Sequence, residues 1–221
     1  MSDNPFEPGS VDALPELLAI FPLAGATLLP RTQLPLNIFE PRYINMILDA
    51  LGAGRLIGMV QPAAAAAPDE PVPTYAIGCA GRIVAFNETG DGRLLISLQG
   101  VCRFRLGEEL PLHRGYRRVR PIWAPFAADL AAPGGFVLDR GEFRGALDGY
   151  LDSNGIRVDW DALEKMSDEH MVDFLAMHLP LTPEEKQLLV EAPDTAARAR
   201  DLMAVTRMAA GGEGPADCVR H

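Results

Sequence analysis

The sequence predicts an α+β protein in which a small, closed or half-closed β-barrel is followed by a bundle of short helices. Three observations carry that prediction. Apolar residues occupy alternate positions over 94–106, the pattern of a strand with one buried face. Ahead of it stand a proline-marked strand at 34–38 and a helix opened by Pro41. Beyond residue 136 the apolar spacing changes from that of a strand to that of a helix and stays so almost to the end.

Residues 1–14 are polar, proline-containing and without period, and are expected to form a flexible tail. Leu18, Ile20, Phe21 and Leu23 then make a short apolar run closed by Pro22 and Gly25, as in a buried strand entering a turn. Leu34, Leu36 and Ile38 alternate with Pro35 and Asn37. Because Pro35 has no N–H to donate, this strand belongs at an edge or a bulge. Pro41 suits the first turn of a helix; Tyr43, Ile44, Ile47, Leu48 and Leu51 give it an apolar face, and Gly52 stops it. A second apolar strand follows at 56–60. In 61–73, QPAAAAAPDEPVP, prolines bracket an alanine run too short to hold a helix, so a surface loop is expected.

From residue 75 the pattern is that of strands. Ile77, Cys79, Ile83 and Ala85 share one parity, with Gly78 and Gly81 marking a bulge or a close backbone approach. The turn residues 87–92, NETGDG, close a hairpin. On the returning strand Leu94, Ile96, Leu98, Gly100, Cys102, Phe104 and Leu106 face the core, whereas Ser97, Gln99, Arg103 and Arg105 should face water; Leu95 and Val101 are exceptions. A further strand at 116–123 holds Arg117, Arg118 and Arg120 and ends at Pro121 and Pro125. Residues 127–135, AADLAAPGG, read as a loop.

In the helical half, Phe143, Leu147, Tyr150 and Leu151 line one helix, stopped at 152–155. Met171, Phe174, Leu175, His178 and Leu179 line a second, capped by Ser167. Thr182, Pro183 and Glu185 form a capping box opening a short helix through Leu188 and Leu189, and Asp194 starts a last one running to about Met208. Short gaps between these helices imply antiparallel packing. The expected organisation is a tail at 1–14, a β-rich subdomain at 15–125, a helical subdomain at 136–209 and a disordered tail at 210–221.

The phrases FPL at 21–23, Pro30 and LPLNIFEPRY at 34–43, with a looser match from Ile77-Gly78 to QGVCRF at 99–104, resemble the N-terminal, substrate-binding domain of the Lon protease family. The resemblance covers roughly residues 15–208. It implies a PUA-like barrel followed by helices, and a domain that engages unfolded or tagged polypeptides for a separate protease or ATPase. The family's ATPase and peptidase modules lie beyond the part matched here. The implied protein is a stand-alone, non-catalytic adaptor or regulator in protein quality control, without a cofactor. A PUA-like module that binds RNA or a small ligand is the alternative.

Composition narrows the field. A chain of 221 residues with 48% hydrophobic content can bury one large core or two modest ones. Its net charge of −10 argues against a nucleic-acid partner, whose phosphates need clustered cations. Cys79, Cys102 and Cys218 form no CxxC pair and leave an odd thiol, which fits a reducing cytosol; the N-terminus has neither the basic patch nor the apolar run of a signal peptide. No segment reads as a membrane span, and the expected location is the cytoplasm.

The chemistry of catalysis is thinly represented. Lys165 and Lys186 are the two lysines, each following a glutamate, and no glycine-rich phosphate loop accompanies either, which excludes a P-loop. A Ser-Lys peptidase pair needs a desolvated amine beside a hydroxyl, whereas both lysines sit in charged helical segments and none of Ser2, Ser10, Ser97, Ser153 and Ser167 has a nucleophile-elbow setting. Asp168, Glu169, His170 and Asp173 have a weak metal-like spacing, but Phe174 stands where a second histidine would be needed, so an acidic first turn is the better reading. His178 reads as a core or boundary histidine, and Cys79 and Cys102 as small core residues. Arg103, Arg105, Arg114, Arg117, Arg118 and Arg120, with Tyr116 to stack a base, would be the RNA-binding patch of the alternative. Against it, the arginines are expected to pair with carboxylates such as Glu108 and Glu109. No catalytic, cofactor-binding or metal residue is assigned, and the residues that would bind a substrate are not legible.

Overall fold

In the computed structural model, which describes residues 8–64, 72–132 and 134–211, six strands make one sheet that closes on itself. They are β1 (Leu18–Pro22), β2 (Gln33–Ile38), β3 (Leu56–Val60), β4 (Ile77–Glu88), β5 (Leu94–His113) and β6 (Tyr116–Ile122), in the order β2-β5-β4-β3-β1-β6. β1 runs parallel to β3 and every other pair is antiparallel. Closure depends on the length of β5. Its 20 residues let one flank pair with β2 near the hairpin and with β6 further along, while β4 takes the other flank. Helix α1 (Pro41–Gly52) connects β2 to β3 and buries Tyr43, Met46, Ile47 and Ala50.

The even-numbered residues of β5 from Leu94 to Phe104 are buried, as their alternation predicts. Two apolar clusters result. One gathers Phe21, Leu28, Ile57, Ile83 and Leu98 with the inner face of α1; the other gathers Leu18, Ile20, Cys102, Phe104, Val119, Trp123 and Phe126. Burying a ring such as Phe104 completely is worth about 1.5–3 kcal/mol. Gly100 has its own reason for being glycine. A Cβ there would lie 1.9 Å from the Leu29 carbonyl oxygen. The chain at 29–32 is laid directly on β5: Arg31 N donates to Gly100 O and Gly100 N to Thr32 O, both at 2.8 Å. Gly81 sits where the β4–β5 register shifts, so the expected bulge is present.

Downstream lie α2 (Arg140–Ser153), α3 (Trp160–Leu163), α4 (Asp168–His178), α5 (Pro183–Glu191) and α6 (Thr195–Gly211). The caps are those the sequence announces. Ser167 Oγ accepts from His170 N, and Asp194 Oδ1 accepts from Ala197 N. In the capping box Glu185 N donates to Thr182 Oγ1 while Thr182 N donates to Glu185 Oε2.

The chain forms two compact units. The described residues up to 132 together with 181–190 make the first, and 134–180 together with 191–211 make the second. In the second, α6 packs on α2 and α4 around Phe143, Leu147, Leu151, Val172, Leu175 and Leu202, with a buried Arg198–Asp173 ion pair at 2.7 Å.

Several expectations are corrected. A single helical subdomain over 136–209 does not hold at α5, whose inner face carries Lys186 and Gln187 as well as Leu189 and Val190 and docks on the sheet. Short gaps show which helices follow one another, not which surface each covers. The tail expected at 1–14 is structured at its end: Val11–Ala13 is a 3-10 turn and Leu14 is buried. The loop expected at 127–135 begins as a 3-10 turn, Ala124–Leu130, that buries Phe126 and Asp129. The short α3 has too few residues to show a period. Residues 1–7, most of the alanine run, the last ten residues and Cys218 lie outside the described residues.

Candidate functional site

Among the described strands β2 pairs with β5 alone, so its other flank is a free sheet edge. Pro35 sits on it as the sequence predicts, opposite Ser97. The register places Asn37, Leu95 and Asn87 in one cross-strand row, facing away from the row of Leu36, Ile96 and Phe86, in which Ile96 is buried and Phe86 lies partly in solvent. Around this corner large apolar side chains stay in solvent: Phe39 is 62% exposed, Val84 48% and Leu95 44%. The Arg93 guanidinium stands 5.9 Å from the centre of the Phe39 ring. A free edge beside exposed apolar residues offers an extended chain both main-chain pairing and side-chain contact.

A second polar feature lies within the first unit. Arg103, on the face of β5 expected to be wet, is only 3% exposed. Its Nε donates to Asp129 Oδ2 at 2.9 Å, its Nη2 to Asp129 Oδ1 at 2.8 Å and its Nη1 to Val190 O at 3.1 Å. The Arg103 backbone N–H also donates to Asp129 Oδ2. Burial works against the guanidinium charge, and the Asp129 carboxylate more than offsets it, so Arg103 is held above its ordinary range. The 3-10 turn at 124–130 and α5 cover what alternation alone marks as solvated. Nothing local in the sequence signals this pair, because its members stand 26 positions apart.

Most of the remaining arginines of this segment are engaged as well. Arg117 makes a two-point contact with Glu109 and Arg120 pairs with Glu108. Arg114 bonds Asp49 and Asn45, Arg118 Nη2 donates to Pro111 O, and Arg105 is exposed. Tyr116 is buried and donates to Asp49 Oδ2 at 2.9 Å, so its ring is not free to stack a base. The pairing with Glu108 and Glu109 expected from the sequence is present.

The lysines differ from expectation. Lys165 is exposed in the turn after α3, not within a helix. Lys186 is buried on α5 and donates to Gly25 O at 3.0 Å, and desolvation lowers its pKa. Of the described serines, Ser97 lies in β5 opposite Pro35, Ser153 Oγ donates to Tyr150 O, Ser167 caps α4, and Ser10 precedes the first 3-10 turn without capping it.

The acidic start of α4 also has structural employment. Asp168 accepts from Leu138 N and from Arg140, and the Leu138 bond foremost, with Arg140, lowers its pKa. Asp173 is buried against Arg198, whereas His170 is exposed. No group of three or more metal-ligating side chains occurs among the described residues. His178 is exposed at the end of α4 and stacks on Phe174 at 4.1 Å, so it is not a core residue. Cys79 and Cys102 are buried on adjacent strands, β4 and β5. Among the described residues no helix is long and apolar enough to cross a membrane.

A family model described as the ATP-dependent protease La (LON) substrate-binding domain matches residues 17–205. Lon protease 2 of Sorangium cellulosum (strain So ce56) is 31% identical over 118 residues, 51% of this chain and 14% of that protein. Lon protease of Dictyoglomus thermophilum is 33% identical over 97 residues, 44% of this chain and 12% of that protein. The chain therefore spans only a small fraction of these relatives' length. Among solved structures, the Lon N-terminal domain protein from Xanthomonas campestris superposes with a TM-score of 0.58 at 24% identity, covering 85% of this chain and 97% of that one. The N-terminal domain of Mycobacterium avium complex Lon protease gives 0.58 at 17% identity, covering 86% and 97%. These two share the fold.

Proposed function

The chain belongs to the LON substrate-binding domain family, and from this we propose that it binds extended segments of non-native polypeptide along the free edge of β2, without catalysis of its own. The observation that carries this reading is the family match over 17–205, taken with an unpartnered strand flanked by exposed Phe39 and Leu95. Main-chain pairing along an edge tolerates many sequences, and apolar contacts at the corner add preference for unfolded over folded chains. Such a protein holds a client for a separate protease or ATPase, as an adaptor or regulator.

The test uses the full chain immobilised on a column. Retention of a permanently unfolded protein such as reduced, carboxymethylated lactalbumin, with its native form passing through, is the expected result. Equal passage of both forms would refute the proposal. Retention of RNA instead, falling steeply with salt, would favour the alternative, but the arginines on which that alternative rests are largely paired or buried.

A further inference from the structure

A small cavity lies in the first unit where α5 meets the sheet. It offers about 10 Å³ to the centre of a water molecule, and its lining includes Thr27, Gln61, Cys79, Gly78, Gln187 and Val190. Two polar atoms from that lining, Thr27 Oγ1 and Gln61 Oε1, are buried without a hydrogen-bond partner. Thr27 is 4% exposed and Gln61 3%. A buried polar atom left unsatisfied destabilises the fold, so each calls for a partner.

The amide orientations decide what that partner must be. Gln187 Nε2 donates to Ile77 O at 3.0 Å, which turns the Gln187 carbonyl oxygen toward Gln61. Gln61 Nε2 donates to that oxygen at 3.3 Å and to Pro183 O at 3.2 Å. Flipping Gln61 would set its oxygen against two acceptors, so Oε1 stays on the unpartnered side and needs a donor. A hydroxyl beside it can give or take a proton. A group that donates to the amide and also engages the hydroxyl, within the volume of one molecule, is water.

We propose that this cavity is a specific site for a single buried water that bridges Thr27 Oγ1 and Gln61 Oε1. The water completes the polar seam by which α5 is fastened to the sheet. Direct bonds already hold that seam, among them Gln61 to Pro183, Gln61 to Gln187, Gln187 to Ile77, Lys186 to Gly25 and Arg103 to Val190.

Oxygen-17 magnetic relaxation dispersion of the full chain, together with a crystal structure at a resolution that orders solvent, tests the site. Thr27→Ser keeps the hydroxyl, and Thr27→Val removes it without changing the side chain's shape. The expected result is one long-lived water in the wild type and in Thr27→Ser, lost in Thr27→Val, with density within hydrogen-bond reach of both orphaned atoms. An unchanged dispersion in a folded Thr27→Val, an empty cavity, or Gln61 Oε1 found bonded to protein would each overturn the proposal.

Discussion

Arg103 and Asp129 meet as a closed pair inside the first unit, the carboxylate taking Nε and Nη2 of the guanidinium together with the Arg103 backbone N–H. Asp129 also works through its main chain, since its carbonyl accepts from Arg31 Nη1 at 2.8 Å. Removing one partner strands the other charge where water cannot reach it. Arg103→Leu and Asp129→Ala are each expected to cost about 3–5 kcal/mol in urea denaturation. The double variant should lose markedly less than the sum of the two.

Gly100 tests the laying of 29–32 onto β5. Gly100→Ala would force a methyl against the Leu29 carbonyl, so the strand or the crossing segment has to move and the pairs with Arg31 and Thr32 with it. A loss of about 2–4 kcal/mol is expected, on the scale of a core defect. Gly90→Ala, in the β4–β5 turn with open space around it, should melt within a degree or two of the wild type.

Alkaline conditions should weaken the fold through Cys102. Burial, and then the neighbouring Asp129 charge, push this thiol up from its ordinary 9.0 to about 12. The folded chain keeps a proton that the unfolded chain releases. Stability is therefore fully present below about pH 9 and falls as pH rises toward about 12. Tyr116, pushed by burial and Asp49 from 10.0 to about 12, adds a decline that starts later. Urea titrations of Cys102→Ala across this range should show a shallower slope that begins nearer pH 10.

The start of α5 rests on a reciprocal cap. Thr182→Ala leaves Glu185 N without its acceptor and should cost about 1 kcal/mol, read as a lower melting temperature. Thr182→Ser should recover most of it.

Phe39 and Leu95 carry the proposed binding corner. Both are exposed, so Phe39→Ser with Leu95→Ser should leave the melting temperature nearly unchanged. Affinity for an unfolded polypeptide, measured by fluorescence anisotropy, should fall at least about tenfold, the equivalent of about 1.4 kcal/mol. Unchanged affinity would remove this corner from the binding reading.

Much of this architecture is local and therefore legible. Alternation along β5, Pro35 at an edge and the Thr182–Glu185 box are each decided within a few residues, and each stands where those residues imply. What escapes is decided by distant parts of the chain. Arg103 faces the odd side of its strand and should be wet, and only the arrival of the turn at 124–130 and of α5 makes it dry. Lys186 follows a glutamate in a charged helix and looks solvated for the same reason. The binding corner was half visible: the proline edge shows in the sequence, but the exposure of Phe39 depends on where the sheet ends.

The return of 181–190 to the first unit makes the obvious truncation a poor one. A chain cut after residue 132 would keep all six strands, yet Arg103 would lose its bond to Val190 O, and Gln61 its bonds to Pro183 O and Gln187, leaving donors on a bare sheet. The compact unit that holds the sheet is discontinuous in sequence, so a circularly permuted or linker-bridged version carrying α5 is the truncation that keeps its bonds.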